Sequence, residues 1–100
     1  MAFEGGTLNM ALAAAVGDDA GLVRDLRRAF LESADRQIDM LSRALDDSSW
    51  HLALWRLKGL CGSFGVVHMI ALIEEAQGCA PGDAKTLARI RAMLSVLGED

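Results

Sequence analysis

Apolar residues recur at spacings of three and four along almost the whole chain, and no stretch shows the alternation of a strand. A first short helix is expected through Leu8, Leu12, Ala15 and Val16, with Gly5-Gly6 as a flexible lead-in, Thr7 as N-cap and Gly17 as its stop. Asp18 or Asp19 can cap the next and longest helix, about Ala20 to Leu45. There Leu22, Leu26, Ala29, Phe30, Ser33, Gln37, Met40, Leu41, Ala44 and Leu45 trace a stripe suited to a core, with Met40 able to sit at its edge. Asp46-Asp47-Ser48-Ser49 reads as a turn, with Ser48 or Ser49 capping a third helix that closes at Phe64-Gly65. A fourth helix, about Val66 to Gln77, buries Met69, Leu72, Ile73 and Ala76. After the loop Gly78 to Gly82, Asp83 can cap a last helix that repeats Leu87, Ile90, Leu94 and Leu97. Short loops between amphipathic helices predict an all-α fold, an antiparallel up-and-down four-helix bundle with the short first helix lying across one end. Residues 1–100 form one domain in this reading.

The third helix carries two faces that cannot both be core. Successive residues turn by about 100°. Trp50, Ala53, Leu54, Leu57, Leu60, Cys61 and Phe64 gather on one side, and His51, Leu52, Trp55, Lys58, Gly59 and Gly62 on the other. Trp50 is therefore expected inside and Trp55 outside. Arg56 points sideways between the two faces, into solvent. A glycine within a helix costs roughly 1 kcal/mol against alanine, so two on one face need a reason. Close approach of another molecule to the backbone is one; packing of another helix of the same chain is the other.

Composition narrows the class. An apolar fraction of 52% argues against disorder, and no apolar run reaches the roughly 20 residues that span a bilayer. The net charge of −4, with both signs interspersed, offers no nucleic-acid footprint. Met1 to Gly6 lacks the basic and apolar segments of a signal peptide, so a cytoplasmic protein with reduced thiols is expected. Cys61 and Cys79 have neither metal nor redox spacing, and Cys61 reads as a small core hydrophobe. No metal or cofactor is expected. Glu74-Glu75 and His68 read as solvated surface.

The run Trp55-Arg56-Leu57-Lys58-Gly59, followed by Gly65, resembles the active helix of histidine-containing phosphotransfer (HPt) domains, whose pattern is His-x-Leu-Lys-Gly with a further glycine six residues on. Every position matches but the first, where Trp55 replaces the phosphorylated histidine. The long run Leu22 to Leu45, with Phe30 inside it, is similar to the family's second helix. The resemblance spans nearly the whole chain and implies the same bundle. In the family, an exposed histidine nitrogen takes a phosphoryl group from an aspartyl phosphate on a receiver domain. It needs a free ring lone pair, a nearby cation and room for the receiver's loops. Lys58 would be the cation, and Gly59 and Gly62 would leave the room. Trp55 cannot be the nucleophile, because its indole nitrogen only donates hydrogen bonds.

The resemblance thus implies a degenerate HPt-like protein, not an enzyme. It would bind a response-regulator receiver domain or a histidine kinase through His51, Leu52, Trp55, Lys58, Gly59 and Gly62, and modulate signalling without relaying phosphate. An exposed tryptophan among small and polar residues suits an interface anchor. Two alternatives stand beside this reading. In one, His51 is the phospho-acceptor, although Lys58 lies two turns away, roughly 10 Å along the axis. In the other, the Trp55 face is buried in a homo-oligomer; a monomer is the favoured expectation.

Overall fold

The computed structural model describes residues 4–17 and 19–99, with side chains from Leu8 onward. It is all-helical: α1 (Glu4–Val16), α2 (Ala20–Ser42), α3 (Asp47–Ser63), α4 (Val67–Ala76) and α5 (Ala84–Leu97). The backbone of Gly5, Gly6 and Thr7 lies inside α1, so the expected lead-in and Thr7 cap are replaced by a helix that begins at Glu4. Burial of Leu8 and Leu12 where α1 packs on α2 and α5 supplies the support that two glycines withhold.

Aspartates start three of the helices. Asp19 Oδ1 accepts from the Leu22 amide at 3.0 Å to open α2, while Asp18 lies outside the described residues. Asp83 Oδ2 accepts from the Thr86 amide at 2.9 Å to open α5. At α3 the cap is Asp46, whose Oδ1 accepts from the Ser49 amide at 2.8 Å. Ser48 and Ser49 therefore belong to the first turn rather than the cap. Asp46 wins because its extended backbone leaves a carboxylate facing the free amides, and the helix end favours a negative charge. Val66 precedes α4 without any side-chain cap. Gly65, between α3 and α4, holds φ at +68°, the left-handed conformation expected of it.

α2 stops at Ser42, three residues before the expected Leu45. Ser42 Oγ donates to the Asp39 carbonyl at 2.6 Å, and the Arg43 amide folds back on Met40 and Leu41. Its buried face runs through Phe30, Ala34, Ile38 and Leu41, with Val23, Leu26 and Leu31 packed at the margin. Leu22, Ala29 and Met40 are exposed, as is Leu45 beyond the helix end. The true stripe is thus turned from the expected one by roughly 75°. α2 has apolar residues on more than one side and packs against α1, α3 and α5, so its neighbours choose the face.

The core joins helix starts to helix ends. Phe30, midway along α2, stacks obliquely on Phe64 just after α3, with ring centroids 5.0 Å apart. Trp50, at the start of α3, donates from Nε1 to the Ala76 carbonyl at the end of α4 (3.1 Å). Arg27 donates from Nη2 to the Leu97 and Glu99 carbonyls, at 3.0 and 2.6 Å, tying α2 to the end of α5. α4 packs between α3 and α5. Among the described residues no helix is long and apolar enough to cross a membrane.

Candidate functional site

α3 divides as its periodicity predicts. Trp50 is fully enclosed, together with Leu54, Leu57 and Cys61, while Leu60 and Phe64 are half-buried at the margin. Five residues on from Trp50, Trp55 keeps 69% of its surface in solvent. His51, Gly59 and Gly62 are also exposed, Leu52 is 47% exposed, and Lys58 is half-buried. All six expected docking residues therefore share one accessible face.

The two glycines bear on the readings left open above. A methyl group placed on Gly59 or Gly62 would meet no atom within 4 Å beyond its chain neighbours and the adjacent backbone of its own helix. Neither has a positive φ. No other helix touches that space, although Gly62 borders a groove shared with Ala11 and Ala15 of α1, and neither glycine serves a turn. Their small size leaves bare helix backbone facing solvent beside an exposed indole.

The electrostatics of the face differ from expectation in two ways. Lys58 Nζ lies 3.5 Å from Glu74 Oε2, so its ammonium is shared with a carboxylate of α4. Glu75 pairs likewise with Arg89 of α5 at 3.2 Å. The Glu74-Glu75 pair is solvated as expected, but each member also meets a cation on a neighbouring helix. Exposed pairs of this kind contribute little to stability; this one sets where Lys58 points. The second difference concerns the overall charge. From Ser48 to Ile73 the chain has no Asp or Glu, while it carries His51, Arg56, Lys58 and His68. Charge is therefore not evenly interspersed along the sequence, although Lys58 meets Glu74 and α3 opens on Asp46 and Asp47.

Beside this face runs a groove of ≈340 Å³ between the end of α2 and the start of α3. Met40, Arg43, Leu52 and Arg56 form its walls, with Ala44 and Ala53 among its lining residues. Arg56 is exposed, as expected, yet it stands on a groove wall rather than in open solvent. The exposed side chains Met40, Leu45, Leu52 and Trp55 all belong to this part of the molecule. A larger groove, ≈460 Å³, lies apart, between α1 and the start of α2, against Asn9, Arg24 and Arg27.

Trp55 has no nucleophilic lone pair. His51 is exposed, and no side-chain hydrogen bond within the described chain orients it. Burial pushes the Cys61 thiol up to about 12, which removes it as a nucleophile. Asp46 is held below the ordinary carboxylate value by the Ser49 amide that it caps. Among the described residues no group of His, Cys, Asp or Glu is placed to hold a metal ion. Comparison with protein-family models, curated proteins and solved structures finds no match to this chain.

Proposed function

We propose that this chain is an HPt-like signalling domain that has lost phosphotransfer and kept docking. In this reading α2 to α5 form the antiparallel up-and-down four-helix bundle, and α1 is the additional N-terminal helix. The domain acts in the cytoplasm, where it binds a receiver domain or a histidine kinase. It works by occupancy, sitting where a true phosphotransfer protein would dock. The observation that carries the reading is the exposed Trp55 at the histidine position of the motif, beside two glycines with open space above them. Such a face presents a rigid aromatic anchor and lets a partner reach the helix backbone.

Calorimetry with purified receiver domains and kinase dimerisation regions from the same organism tests binding. Trp55→Ala is expected to weaken affinity by about 2 kcal/mol or more, the scale of an interface hot spot, while the fold stays intact. Equal affinity for wild type and variant would end the proposal. Phosphate transfer tests the chemistry. Wild type should take no acid-labile phosphate from a phosphorylated receiver, whereas Trp55→His should take some. The further change Glu74→Gln, which releases Lys58, should raise that amount. Label on wild type that vanishes in His51→Ala would instead make His51 the acceptor.

A further inference from the structure

The groove beside α3 has a chemistry that the Trp55 face alone does not explain. Two exposed apolar side chains, Met40 and Leu52, face it from different helices, and two arginines, Arg43 and Arg56, share its lining. The buried residues Ala44 and Ala53 are small, so a slot remains that can admit an inserted side chain. Leu52 joins the groove to the docking face, since it lies three residues before Trp55 and four before Arg56 on the same side of α3. Arg43 is shared with Asp39 one turn earlier on α2, at 3.0 Å. Arg56 forms no ion pair among the described residues.

We infer that this groove receives an acidic amphipathic helix of the partner, with apolar side chains between Met40 and Leu52 and carboxylates against Arg56 and Arg43. The inference rests on the docking function proposed above and specifies the partner's surface. A helix fits because both walls are helical and offer side chains only. A strand would need an open sheet edge, and among the described residues there is no strand. Acidic character follows from charge. Arg43 and Arg56 line the groove, no carboxylate is among its lining residues, and a basic helix would be repelled. The arginines suit this role because a guanidinium can grip a carboxylate with two hydrogen bonds.

The test uses the full chain and two synthetic helical peptides of about 18 residues. Both carry leucines at helical spacing; one is flanked by glutamates and the other by lysines. Amide chemical shifts locate binding, and calorimetry measures it at low and high salt. The glutamate peptide should shift amides in the last turn of α2 and the first half of α3. It should bind at least tenfold tighter than the lysine peptide and lose affinity with salt. Arg56→Glu and Leu52→Ala should each weaken it at least tenfold, whereas Arg28→Glu, elsewhere on α2, should not. Equal affinity for both peptides, no binding of either, shifts elsewhere, or indifference to Arg56→Glu would each overturn the inference. The two proposals fail separately. Receiver binding that needs Trp55 but ignores Leu52 and Arg56 refutes only the groove. Glutamate-peptide binding without any receiver or kinase binding refutes only the phosphorelay reading.

Discussion

Replacing Gly59 by alanine should make the protein more stable and a worse binder. Gly59 lies within α3, in ordinary helical backbone, with open space where the methyl would go. The only intramolecular change is therefore in helix propensity, which favours alanine by about 1 kcal/mol. For a domain of this size that corresponds to a rise in Tm of about 4–8 °C. Gly62 is just as open but lies in the last turn, so its gain should be smaller, about 0.5 kcal/mol. Gly65 supplies the opposite sign. Its φ of +68° costs an alanine about 1–2 kcal/mol, although the nearest side-chain atom, Ala11 Cβ, is 3.8 Å away and would not clash. Thermal and urea unfolding followed by circular dichroism would measure all three. Calorimetry on the same variants should show partner affinity falling about tenfold for Gly59→Ala, if bare backbone is what the partner touches. A lower Tm for Gly59→Ala would mean that something within the chain packs there. A higher Tm with unchanged affinity would show that the glycines have no part in docking.

Other measurements probe the scaffold. Leu57 is fully buried on the core side of α3, and Leu57→Ala should cost about 2–5 kcal/mol in urea unfolding. Asp46 and Asp83 are both held below their ordinary value of 3.8 by the amide and hydroxyl groups they cap. Their contribution is fully present above that value and is lost as the pH falls through each lowered folded value. Asp46→Asn and Asp83→Asn should therefore flatten the acid limb of a stability–pH curve, with little change near neutrality because asparagine also caps. In the folded protein a thiol reagent at neutral pH should modify half-buried Cys79 and spare Cys61, which should react only after unfolding.

How much of this was legible in the sequence depended on the separation of the groups involved. The two faces of α3 could be read because Trp50 and Trp55 sit five residues apart, nearly opposite on a helix. Asp83 could be read as a cap, and Asp19 as one of two adjacent candidates with Asp18, because each stands just before a periodic run. At α3 four capping residues stood in a row, and local pattern could not separate Asp46 from Ser48 or Ser49. The stripe on α2 was misplaced because that helix is apolar on more than one side and only its neighbours select the buried face. Lys58 with Glu74, Arg89 with Glu75, and Arg27 with the Leu97 carbonyl lie 16, 14 and 70 residues apart, so each depends on the packing of whole helices. The acid-free stretch from Ser48 to Ile73 was a different case. It was visible as a run without acids, but a net charge of −4 taken over the whole chain concealed it.

One consequence of the division within α3 is optical. The chain contains no tyrosine and two tryptophans, one sealed in the core and one 69% exposed. Its near-ultraviolet emission is therefore a sum of two spectra with different origins. Trp50, hydrogen-bonded inside the protein, emits towards the blue and is shielded from an aqueous quencher; it shifts only when the core opens. Trp55 emits towards the red and is open to the same quencher until something covers it. A single unlabelled sample thus reports unfolding and coverage of the Trp55 face as separate signals, distinguished by colour and by quencher.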